Sequence, residues 1–161
     1  MTQSTDPAGT VRDGSTIRWS DRKRYLWLVA LVMPCLPFAA VALSSLTGWG
    51  VWLWLGPIVI LGLVPVIDMI AGLDGSNPPD DLIAALEKDR YYRWITYLFL
   101  PIQYAGFITA FWFIARGDLT TVDKVGLAVT VGFIGGLGIN PAHELGHKRE
   151  SVERWLSKIA L

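Results

Sequence analysis

The sequence has 161 residues, 52% of them hydrophobic and 17% charged, with eight tryptophans and a mean hydropathy of +0.41. Fourteen basic and fourteen acidic residues cancel to zero net charge, which removes the electrostatic footing that nucleic-acid binding requires. A soluble core of this length could not enclose so much apolar surface, and a lone Cys35 inside an apolar run excludes a disulfide framework and reads as a small buried hydrophobe.

The first 24 residues are polar. They lack the short apolar core of a cleavable signal peptide and read as a disordered cytoplasmic tail. Residues 25–161 read as one transmembrane helical domain. Its first span is expected from Tyr25 to Leu46, kinked by Pro34 and Pro37. Thr47-Gly48-Trp49-Gly50 is too short for anything but a tight turn. A second span follows from Val51 to Gly72, with Pro57 and Pro65 inside it. Asp74-Gly75-Ser76-Asn77-Pro78-Pro79 signals a turn and a helix start. Asp80 to Arg93 then reads as an amphipathic helix on the membrane surface, with Leu82, Ile83, Leu86 and Tyr91 on its apolar side. The third span is expected from Ile95 to Ala115, and the fourth from Val125, rich in the small residues that let helices pack closely in lipid. The fold class is therefore all-α, a polytopic bundle of about four spans.

Loop charge orients it. Arg12, Arg18, Arg22, Lys23 and Arg24 precede the first span. Lys88, Arg90 and Arg93 lie between the second and third, and Lys148, Arg149, Arg154 and Lys158 follow the fourth. The opposite side holds only Arg116 and Lys124. Lys and Arg concentrate on the cytoplasmic side, which places both chain ends there.

The chain's two histidines fall at i and i+4 in His143-Glu144-Leu145-Gly146-His147. Four residues apart on a helix is one face, with Cβ atoms about 6 Å apart, so two imidazoles can share one metal ion. Glu144 and Asn140 are candidates for orienting an imidazole from behind. Asp68, near the end of an apolar run, is another, because spans two and four end on the same side. A mid-membrane carboxylate costs about 2.5–3.5 kcal/mol, less near the interface, and Asp68 reads equally as an interfacial cap or a partner for a nearby base. Trp54, Ile58 and Ile60 are candidates for lining an apolar channel. The bland alternative for the histidines is a solvated pair favoured by the helix dipole. His-Glu-x-x-His is also the zinc metalloprotease signature, in which the Glu is the general base, so an intramembrane protease is the competing enzyme. A non-enzymatic metal-binding membrane protein is a third reading.

The longer string Leu137-Gly138-Ile139-Asn140-Pro141-Ala142-His143-Glu144-Leu145-Gly146-His147-Lys148 closely resembles the first histidine box of the membrane-bound alkane 1-monooxygenases. Lys23-Arg24-Tyr25-Leu26-Trp27, Thr47-Gly48-Trp49-Gly50, Pro65-Val66-Ile67-Asp68, Asn77-Pro78-Pro79, Leu86-Glu87-Lys88-Asp89-Arg90-Tyr91-Tyr92-Arg93 and Arg154-Trp155-Leu156-Ser157-Lys158-Ile159 are similar to that family in the same order, so the resemblance runs from about Arg22 to Leu161. It implies two non-haem iron ions held by histidines, with His143 and His147 among the ligands. It implies O₂-dependent terminal hydroxylation of n-alkanes, rubredoxin and its reductase as electron donors, and residence in a bacterial inner membrane. Two histidines do not hold two irons. The family's further boxes lie downstream, so the resemblance implies a fragment that is inactive alone, with the remaining ligands outside it. A basic face of Lys88, Arg90, Arg93, Lys148 and Arg149 could steer an acidic donor, although topology alone accounts for those charges. The neighbouring desaturases and aromatic side-chain hydroxylases remain alternatives within the same class.

Overall fold

In the computed structural model the described residues are 4–5, 10–13, 16–20, 24–72, 86, 89–146, 155 and 157–158. Four long apolar runs become four helices: α1 (Arg24–Thr47), α2 (Gly50–Ala71), α3 (Arg90–Ala115) and α4 (Thr121–Gly146). The spans have 22 to 26 residues, roughly 33–39 Å at about 1.5 Å per residue, against a hydrocarbon core about 30 Å thick. Each is long and apolar enough to cross a membrane, and the chain is a multi-pass membrane protein.

The first two spans fall within one residue of their expected limits. Between them Gly48 takes a left-handed φ of 75° and its N–H caps Ser44 O at 2.8 Å. A side chain would resist that conformation, so a glycine closes the turn. Pro34 and Pro37 are buried, and α3 packs directly on them. A Cβ on Gly106 would lie 3.3 Å from Pro37 Cγ and 3.4 Å from the Pro34 carbonyl oxygen. Cys35, between them, faces outward and is exposed, not buried as expected.

The third span differs from expectation at its start. Asp89 has an extended backbone, φ −66° and ψ 124°, and its carboxylate accepts the Tyr91 N–H at 2.9 Å. That cap starts α3 at Arg90, so Arg90 to Arg93 belong to the spanning helix and not to a surface helix. Of the remainder of the expected surface helix, Leu86 is helical, Asp89 is the extended cap, and the other residues lie outside the described ones. The fourth span likewise starts early. Thr120 Oγ1 accepts the Asp123 N–H at 3.2 Å and donates to Asp123 Oδ2 at 2.6 Å, a reciprocal cap that opens α4 at Thr121.

Near the N-terminus the described residues form three antiparallel strands, β1 (Ser4–Thr5), β2 (Thr10–Asp13) and β3 (Thr16–Ser20), ordered β1-β2-β3. Asp13 of β2 pairs with Thr16 of β3. Val11, Ile17 and Trp19 favour the extended state.

One core gathers Ala40, Leu53, Ala110, Leu127 and Val131 from all four helices, and a second gathers Phe99, Leu100 and Leu145. Elsewhere the bundle shows large apolar side chains outward, among them Met69, Ile108, Phe111 and Trp112, as a lipid solvent requires. From Leu61 to Gly72 every residue of α2 is exposed, so its second half stands off the bundle.

Candidate metal centre and its apolar approach

α4 carries His143 on its last turn. Helical backbone continues to Gly146, through Pro141, so His143 sits on a helix as its spacing predicts. Its side chain is exposed. His147 and the Glu144 side chain lie outside the described residues. Among the described residues no group of three or more His, Cys, Asp or Glu comes together, so they do not complete a metal site by themselves. Asn140 is exposed one turn before His143, on nearly the same face. Asp68 is exposed on the outstanding half of α2, and the structure does not bury it against α4.

The channel candidates separate. Ile58 is exposed. Trp54 is half-buried, its indole filling the space where a Cβ on Gly126 would stand. Ile60 lines an open apolar groove of about 510 Å³ between α2 and α4, whose other walls are Val129, Gly132, Phe133, Gly136 and Leu137. Sequence reasoning passed over those α4 residues, and the signal lay in their i, i+3, i+4, i+7 spacing. Gly132 and Gly136 form its floor, with open space above both. At 100° per residue, Gly132, Gly136, Asn140 and His143 fall within about 80° of one face. Gly136 lies about 10 Å along the axis from His143. The groove therefore runs lengthwise toward the histidine end of α4.

Just beyond the groove α2 is broken. It winds as a 3₁₀ helix over Gly50–Trp54, as α over Leu55–Pro57 and as a π-helix over Ile58–Leu63. Pro57 has no N–H to give Leu53 O, four residues back. Thr130 Oγ1, wholly buried on α4, donates to that oxygen at 2.7 Å and accepts the Gly56 N–H at 3.0 Å. One hydroxyl thus satisfies both backbone groups that the break leaves open.

Another polar side chain is buried in the bundle. Gln103 is 7% exposed in the middle of α3, in the space that Gly138 leaves open, and its Oε1 has no hydrogen-bond partner.

No family model matches the chain. It is similar to curated proteins along nearly its whole length. Alkane 1-monooxygenase 1 of Alcanivorax borkumensis is 41% identical over 149 residues, 92% of this chain and 37% of that protein. The alkane 1-monooxygenases of Ectopseudomonas oleovorans and Pseudomonas putida are each 38% identical over 147 residues, 91% of this chain and 37% of those proteins. The chain spans a little over a third of the length of these relatives. Over the segment it covers, the chain is similar to alkane 1-monooxygenases, as its histidine box implied.

Proposed function

We propose, from that kinship, that the chain is the part of a membrane-bound alkane 1-monooxygenase that presents the first two metal-ligating histidines, His143 and His147, at the cytoplasmic end of α4. The reaction is R–CH₃ + O₂ + 2e⁻ + 2H⁺ → R–CH₂OH + H₂O. The observation that carries the reading is the match of 91–92% of this chain to proteins of that name. The i, i+4 spacing of the histidines in the sequence, with His143 on α4, supports it. A pair of iron ions would activate O₂ there, and their further ligands come from polypeptide beyond these 161 residues. The substrate has no polar handle, so its recognition rests on burial, about 0.8 kcal/mol per CH₂. The open apolar groove from Ile60 to Leu137 offers a surface for that burial. The two electrons come from rubredoxin, which docks on the basic cytoplasmic side.

The test uses membranes containing the complete gene product, given octane, O₂ and reduced rubredoxin. Formation of 1-octanol, with iron in the purified protein, is the expected result. His143→Ala and His147→Ala are expected to lose the iron and at least 100-fold of the rate, on the order of what removing a metal-site partner costs. Bound zinc together with peptide hydrolysis and no octanol would instead establish the metalloprotease reading.

A further inference from the structure

α2 and α4 approach closely at Gly56 and Thr130, where a Cβ on Gly56 would stand 2.6 Å from Thr130 Cα. Immediately past this contact the geometry changes. Pro57 breaks the hydrogen-bond ladder, the next six residues wind as a π-helix, and residues 61–72 become wholly exposed. The groove opens in the wedge so formed, between Ile60 on one side and Val129 to Leu137 on the other. Thr130 is adjacent in sequence to Val129, the first α4 residue of that lining, and its hydroxyl holds Leu53 O and Gly56 N on either side of the break.

We propose that Thr130 is a positioning residue that sets the splay of α2 from α4 and thereby the bore of the alkyl groove, so that it governs which hydrocarbon chains are accepted. This rests on the functional reading above. The physical argument is that the Thr130 hydroxyl holds the helix where its own ladder is broken. A helix ladder ordinarily fixes the direction of a segment by one bond per residue, and here Pro57 removes the bond at the pivot. The direction of α2 beyond Pro57 then depends strongly on the Thr130 hydroxyl and the steric stop at Gly56, the two contacts that hold the pivot itself. Thr130 touches no substrate. It acts through Ile60, which it holds opposite Gly132 and Gly136.

Thr130→Val keeps the shape and removes both hydrogen bonds, and Thr130→Ser keeps the bonds. Spin labels at Leu63 and Ile139, both exposed and outside the groove lining, report the splay directly in a Cys35→Ala background of the complete protein. Thr130→Val is expected to lengthen and broaden the Leu63–Ile139 distance. It should also shift the ratio of kcat/KM for branched over linear alkanes by about tenfold, the scale on which a methylene-sized change in an apolar pocket acts. Thr130→Ser should restore both. Gly56→Ala, which pushes the helices apart by bulk, should shift the same two readouts in the same direction. An unchanged distance in Thr130→Val overturns the proposal. So does a changed distance with an unchanged substrate ratio. If the wild-type protein hydroxylates no alkane, the functional reading fails separately, and the substrate half of this proposal falls with it.

Discussion

Arg24 and Asp89 are sixty-five positions apart in the sequence and meet in a two-point ion pair, Nη1 to Oδ2 at 3.0 Å and Nη2 to Oδ1 at 3.2 Å. Their side chains are 9% and 8% exposed. Around them the Tyr91 hydroxyl donates to the Arg24 carbonyl at 2.9 Å, and the guanidinium carbon lies 4.3 Å from the centre of the Tyr91 ring. The pair has few ways to be solvated if broken. Asp89→Asn and Arg24→Ala are expected to destabilise the protein by about 3–5 kcal/mol each, because each leaves its partner charged and buried. Arg24→Lys should also lower stability, since an ammonium cannot reproduce the fork. Thermal unfolding in detergent, with the double variant closing the cycle, measures the coupling. None of this was legible beforehand. Arg24 carried meaning only as a topology charge and Asp89 only as one letter of a motif, and no local pattern connects positions so far apart. The helical placement of His143 was legible, because a lone histidine pair at helical spacing is a local signal.

Spans are local too, and they could be read to within a residue for α1 and α2 because apolar length and a glycine turn define them. The starts of α3 and α4 depended on caps. Thr120-Thr121-Val122-Asp123 has the spacing of a capping box, but it sits in front of the apolar run and so falls outside a hydropathy reading. Thr120→Ala should cost about 1 kcal/mol, seen as a lower unfolding temperature. The glycines of α4 divide by what they face, which composition cannot reveal. Gly126→Ala drives a Cβ into the Trp54 indole and should destabilise markedly, whereas Gly132→Ala enters open space and should leave unfolding unchanged. A common effect of both substitutions on unfolding would contradict the packing described.

For the molecule as a whole, the loop charges order the ends of the helices and the contacts agree with that order. Arg24 of α1 meets Asp89 before α3, and a Cβ on Gly50 of α2 would strike the Asp123 carboxylate of α4, so α1 and α3 begin at one surface and α2 and α4 at the other. By the positive-inside rule, the turn at Gly48 and the loop at Asp118 are expected to face away from the cytoplasm. Cysteines placed at Gly48 and Asp118 in a Cys35→Ala background are expected to react with an impermeant maleimide from outside intact cells, and one placed at Arg90 only after lysis. What the sequence withheld was lateral order, meaning which spans touch and where they part, because that depends on pairs such as Gly56 with Thr130 that only the folded chain brings together. The ion pair at Arg24 also has a consequence in time. A polypeptide made at ~5–20 residues per second presents Asp89 roughly 3 to 13 s after Arg24. During that interval the guanidinium lacks this partner. The contact that ties α1 to α3 at Arg24 therefore closes only after the third span has begun to emerge, and until then the first span is held by its lipid-facing surface alone.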